Sequence, residues 1–206
     1  MTRLFTLFSA LLLAAPALSQ APAPSPSPAP ATVRVTLATA QGPIVLELEK
    51  ERAPVTTANF LRYVDQKKLD GAAFYRVAKA PNDPQYGLVQ FGTRGEPKRT
   101  LPPIAHEPTT KTRLTHTSGT ISLARNAPGT GAGDFFITVG DTPSLDADPA
   151  APGDNQGFAA FGHVIEGMDV VKRVLAEPTD PNKGEGVMKG QYLAAPVVIT
   201  AARRGN

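Results

Sequence analysis

The stretch "GTGAGDFFITVG", Gly129 to Gly140, decides between two classes of fold. Alternating glycines ahead of an apolar run suit a phosphate-cradling loop, but such a loop needs a strand before it and a helix after it. The helix N-terminus is what presents aligned amide dipoles to the anion. Here the glycines lead into "DFFITV", aromatic and β-branched and therefore strand-forming, and no Gly-Lys-Ser/Thr ending appears. The phosphate reading is set aside, and with it a parallel βαβ sheet. On a strand Phe135 and Phe136 point to opposite faces, so one is expected in a core and the other at a surface.

Strand signals recur on both sides of this stretch. "GTISLAR" (119–125) precedes it and "FAAFGHV" (158–164) follows. "TVRVTLAT" (Thr32–Thr39) alternates Val33, Val35 and Leu37 with polar neighbours, and "PIVLELE" (Pro43–Glu49) alternates again after a "QG" turn, which reads as a hairpin. "AAFYRVA" (72–78), "GLVQFG" (87–92) and "PVVITAARR" (196–204) are further strands. Two helices are expected. The first, in "PVTTANFLRYVDQKKLDG", takes Thr56 or Thr57 as N-cap, Ala58, Leu61 and Val64 as its apolar stripe and Gly71 as its stop; the second is "GMDVVKRVLA". Many short strands with two helices predict a mainly β, antiparallel fold, and closure into a barrel removes the sheet edges.

The chain has 206 residues, enough for one domain with a sizeable core. Residues 1–19 carry Arg3, an apolar run and then the small residues Ala17 and Ser19, the layout of a secretory signal peptide whose cleavage leaves no membrane span. Residues 20–31 are almost entirely Pro, Ala and Ser and read as a semi-rigid linker; the domain is expected over 32–206. The protein is therefore expected to be exported, to the periplasm or beyond. With no cysteine there is no disulfide and no thiolate ligand or nucleophile, so the core alone must hold the fold.

A formal charge of +3 and a pI near 9.3 come from scattered Lys and Arg, with one cluster at Arg203 and Arg204, so nucleic acid is not an expected partner. His106, His116 and His163 show no metal-ligand spacing. His106 and Glu107 are expected in a solvated loop and His163 as a structural strand residue, so no metal is expected. No G-x-S-x-G elbow supports a Ser-His-Asp hydrolase.

"FYRV" (74–77), "VQFG" (89–92), "GTISLARNAPGTGAGDFFITV" (119–139), "LD" (145–146) and "NQGFAAFGHVIEGMDVV" (155–171), in that order, resemble the cyclophilin-type peptidyl-prolyl cis-trans isomerases over about Thr32 to Arg203. The resemblance implies a closed eight-stranded antiparallel barrel capped by two helices, with a substrate groove on its outer face. It implies a catalytic Arg76, a groove glutamine Gln90 and an aromatic seat for the substrate proline at Phe136, with Leu88, Ala124, Arg125, Leu145 and Phe158 lining the groove. No cofactor is implied, the substrates are proline-containing unfolded or extended polypeptides, and the protein is expected to be a monomer. The insertion "AKAPNDPQYG" (78–87) separates Arg76 from Gln90. Gly87 stands where a groove aromatic is expected, with Tyr86 or Leu88 available to fill the space; Ser144 stands in place of a tryptophan and Phe158 in place of a histidine. These departures imply weak cyclosporin binding. They also leave open a non-catalytic proline-peptide-binding chaperone or an envelope scaffold of the same fold.

Overall fold

A computed structural model describes residues 30–205, so the signal and most of the linker expected over 1–31 lie outside the described residues. Eight strands, β1 (Thr32–Thr39), β2 (Gly42–Glu49), β3 (Ala73–Lys79), β4 (Gly87–Gly92), β5 (Thr120–Leu123), β6 (Asp134–Val139), β7 (Ala159–Glu166) and β8 (Tyr192–Arg204), close into one antiparallel barrel. Their order around it is β1-β2-β7-β5-β6-β4-β3-β8. Alternation along the strands fills the interior: Leu37, Ile44, Phe91, Phe135, Phe161 and Ile199 are all fully buried there.

Helix α1 (Pro54–Asp65) starts from the Glu49 end of β2 and sets Phe60 edge-on to Phe135 at 4.8 Å between ring centroids. Helix α3 (Met168–Ala176) covers the other end, with Val170, Val171, Val174 and Leu175 buried. A one-turn helix, α2 (Thr109–Thr112), adds a third to the two expected from sequence.

Three local expectations are corrected. The N-cap of α1 is Ala53, whose side chain caps nothing; Pro54 opens the helix without needing an N–H partner. The carboxylate of Glu107, 51 residues downstream, does the capping instead: its Oε2 accepts from the Thr56 backbone N–H at 2.7 Å and from the Thr56 hydroxyl at 2.8 Å. Glu107 is accordingly fully buried rather than in a solvated loop, since a helix N-terminus supplies the donors and positive potential that its charge needs. The buried face of α1 is centred on Phe60 and Tyr63, which leaves Ala58 exposed. His163 lies in β7 as expected, its side chain 47% exposed on the outer face and 4.0 Å from Glu47.

The tail cations are tied to the barrel. Arg203 pairs with Asp70 at 2.8 Å and Arg204 with Asp65 at 2.6 Å, which leaves no free basic patch there.

Candidate active site

Strand alternation builds one wall of the site. Val89 and Phe91 of β4 and Phe135 and Ile137 of β6 fill the barrel, so Leu88, Gln90 and Phe136 between them face outward. Arg76 of β3 joins them through a bulge: Phe74 pairs with Phe91 and Arg76 with Gln90, so Tyr75 has no partner of its own. Phe74 and Val77 remain in the core, while Tyr75 and Arg76 both serve the outer face. Arg76, Gln90, Phe136 and Ser122 thereby form a single row of directly paired residues across β3, β4, β6 and β5.

The polar half of the row is tightly linked. Arg76 donates from Nη1 to Gln90 Oε1 at 2.6 Å, and from Nε and Nη2 to Gln191 Oε1 at 2.9 and 2.6 Å. Gln90 donates from Nε2 to the Tyr75 hydroxyl at 2.7 Å, and Tyr75 donates to Asp134 Oδ1 at 3.1 Å. Asp134 also accepts from the Arg94 backbone N–H at 2.9 Å, and the Arg94 guanidinium lies 5.1 Å over the Tyr75 ring. Burial lowers the pKa of Arg76 from the usual arginine value, opposed by Tyr75 and Tyr192. Burial likewise raises the Asp134 carboxyl, and it raises the Tyr75 hydroxyl with the Asp134 charge adding to it.

The apolar half is Phe136, 3% exposed but outside the core cluster. Its ring stacks on His116 at 5.9 Å and meets Phe158 edge-on at 5.3 Å. Beneath it His116 bonds Asp146 Oδ1 through Nδ1 at 2.6 Å and Ser122 Oγ through Nε2 at 3.0 Å. The fold therefore does bring a serine, a histidine and an aspartate together. Ser122 is fully buried under Phe136, however, and unreachable as a nucleophile. Burial lowers the His116 pKa against the opposing pull of Asp146, so the neutral ring is favoured and gives Phe136 a flat, well-bonded bed.

These halves meet in an open groove of about 500 Å³, lined by all eight residues singled out in the sequence: Arg76, Leu88, Gln90, Ala124, Arg125, Phe136, Leu145 and Phe158. Arg125 works chiefly on its own wall; it grips Asp154 through both oxygens at 2.7 and 2.9 Å and lies 5.2 Å over the Phe158 ring. That pairing holds the Asp154 carboxyl down at about 2. Leu88 fills the place beside Gly87, whereas Tyr86 turns away to a second pocket against Gly140 and α3. Gly87 has a φ of +144°, and a Cβ there would lie 2.1 Å from the Ala78 carbonyl oxygen, so this backbone excludes an aromatic side chain at that position.

Sequence reading missed Tyr75, Asp134, Gln191 and Met188, of which the last two come from the segment before β8. Asp134 opens the quoted strand and Tyr75 adjoins Arg76, so both had a positional signal; Gln191 had none. Among the described residues no cluster of His, Cys, Asp or Glu could hold a metal ion, and no helix is long and apolar enough to cross a membrane.

Comparison with known proteins agrees with this geometry. Residues 33–202 match the family model "Cyclophilin type peptidyl-prolyl cis-trans isomerase/CLD". A peptidyl-prolyl cis-trans isomerase of Streptomyces antibioticus is 36% identical over 166 residues, covering 80% of this chain and 94% of that protein. Peptidyl-prolyl cis-trans isomerase A of Dickeya dadantii is 33% identical, covering 80% of each. In structure the chain resembles a cyclophilin-type isomerase of Cryptosporidium parvum with a TM-score of 0.64 at 19% identity, over 85% of this chain and 99% of that one. An outer-face groove lined by the half-buried Arg76 and by Phe136, on a closed eight-stranded barrel and across a matched span of nearly the whole described chain, makes this protein a member of the cyclophilin-type peptidyl-prolyl cis-trans isomerases.

Proposed function

We propose that this isomerase acts on exported proteins, and that it lowers the rotation barrier through Arg76, with Gln90 anchoring the substrate backbone and Phe136 seating the proline ring. The observation that carries the reading is the paired row Arg76, Gln90, Phe136 facing one groove. Rotation about a peptide C–N bond costs about 18 to 20 kcal/mol because the nitrogen lone pair is delocalised into the carbonyl. As the bond twists, that lone pair localises on a pyramidal prolyl nitrogen. A fixed guanidinium aimed at it binds the twisted form better than either planar form. Three of the five N–H groups of Arg76 are used by Gln90 and Gln191, which leaves two for substrate.

Nothing covalent is required. A hundred-thousandfold acceleration corresponds to about 7 kcal/mol of differential stabilisation, since each factor of ten is worth about 1.4 kcal/mol. One charge-assisted hydrogen bond in a partly desolvated groove, added to positioning, is of that order. Export is supported by the signal-like residues 1–19, and uncatalysed isomerisation takes tens of seconds or more, long enough to delay folding of exported clients. The protein works as a monomer, and Gly87 and Ser144 in place of aromatic groove residues make cyclosporin binding weak.

The test is an isomerisation assay on a proline peptide with wild type and Arg76→Ala. We expect wild type to exceed the uncatalysed rate and the variant to lose about a hundredfold or more, the cost of one transition-state donor. A wild type no faster than the uncatalysed reaction ends the catalytic reading in favour of a peptide-binding module. Mass spectrometry of the exported N-terminus, expected near residue 20, tests the export claim.

A further inference from the structure

Arg76 is gripped on one edge by a residue from outside the sheet row. Gln191 Oε1 accepts from both Nε and Nη2, and its own Nε2 donates to the Val187 carbonyl at 2.7 Å. With a guanidinium on one side and a carbonyl on the other, the amide has only one satisfactory orientation. The backbone of Gln191 is fixed as well, because its carbonyl accepts from the Val77 N–H at 2.9 Å, one residue along β3 from Arg76.

Behind Gln191 lies a closed loop. Gly190 N–H donates to the Lys183 carbonyl at 2.8 Å, Met188 N–H to the Glu185 carbonyl at 3.0 Å, and Thr179 pairs with Leu193 at the base. Gly184, with a φ of +87°, sits where a Cβ would lie 2.4 Å from the Met188 carbonyl oxygen, so the loop is folded tightly on itself. It brings Met188 into the groove wall and leaves Val187 87% exposed beside it.

We propose that Gln191 is a positioning residue for Arg76, tying the guanidinium to the Lys183–Gly190 loop so that its two remaining N–H groups stay aimed into the groove. Gln90 alone fixes one nitrogen and leaves the guanidinium free to swing about the Nη1 bond; the grip on Nε and Nη2 removes that freedom. A donor already aimed costs no reorganisation when the lone pair appears, so the contribution falls on the chemical step and little on binding.

The test uses the purified protein and two variants: Gln191→Met, which keeps the length but removes the acceptor, and Gln191→Glu, which keeps an acceptor. The first readout is solvent exchange of the Arg76 Nε–H by nitrogen-15 NMR, assigned through its loss in Arg76→Lys. We expect slow exchange in wild type, fast exchange in Gln191→Met and slow exchange again in Gln191→Glu. The second readout is kinetic and rests on the isomerase reading: Gln191→Met is expected to lower kcat about tenfold with KM within about twofold. Wild-type exchange behaviour in Gln191→Met overturns the proposal, and so does a kinetic loss confined to KM. If wild type is inactive while the exchange pattern holds, the isomerase reading fails and the positioning of Arg76 by Gln191 stands.

Discussion

Arg76 and Gln90 face each other across β3 and β4, joined by an Nη1–H to Oε1 hydrogen bond of 2.6 Å. A lysine in place of Arg76 offers three donors at one point and cannot span Gln90 and Gln191 while still reaching substrate. Arg76→Lys is therefore expected to keep the charge and yet lose about tenfold to a hundredfold in kcat/KM, as for a lost donor to developing charge. Thermal unfolding should shift by no more than a few degrees, which distinguishes lost chemistry from lost fold.

Phe136 carries two loads, as a groove floor and as the roof over Ser122 and His116. Phe136→Ala should raise KM and destabilise the protein by about 3 kcal/mol, the lower end for truncating a buried Phe. Phe136→Leu should recover most of the stability but little of the affinity, because a branched chain fills the space without the flat face against His116. Denaturant midpoints read beside KM separate the two effects.

His116 makes stability depend on pH with a definite sign. Its folded pKa is pushed below 6.5 by burial, so the unfolded chain takes up a proton that the folded protein resists. Stability is full above pH 6.5 and falls as the pH drops below it, by up to about 1.4 kcal/mol per unit. Asp134, with its carboxyl raised by burial, acts with the opposite sign just above pH 3.8. The readout is the difference between wild type and His116→Gln in denaturation midpoint against pH. The variant should lack the decline between pH 6.5 and 5; an identical slope would refute the assignment.

Glu107 ties the chain before α2 to the first turn of α1. Glu107→Ala strips the Thr56 donors of their acceptor and should cost about 1 to 3 kcal/mol in chemical denaturation. Glu107→Gln keeps an oxygen for Thr56 and can turn its amide group toward the site of Oε1, which has no partner, so its cost should be smaller. Equal losses would show that the charge, rather than the acceptor geometry, matters.

Much of the barrel was legible because the period of two survives in β1, β2 and β4, and because in β6, aromatic and β-branched, Phe135 and Phe136 had to part company at the wall. Arg76 was not placed by that rule: strict alternation from the inward Phe74 points Arg76 inward as well. Its outward aim depends on the bulge, which leaves no mark in the periodicity and was reached only through the resemblance of "FYRV". Glu107 and Gln191 act across 51 and 115 residues of chain, and no local pattern announces a partner so distant. The short α2 was missed because "TTKT" has weak helix propensity and only one turn to display it.

The bulge at Tyr75 separates what the barrel requires from what the groove requires. Phe74, Arg76 and Val77 take the successive partners Phe91, Gln90 and Val89 on β4, and Tyr75 lies between them with none. Its side chain instead serves the groove, stacked on Tyr192 and bonded to Gln90 and Asp134. Tyr75 thus takes no rung of the β3–β4 ladder, and the wiring from Gln90 to Asp134 passes through a residue that the ladder does not pair. A catalyst built this way has an adjustable component already isolated from its frame.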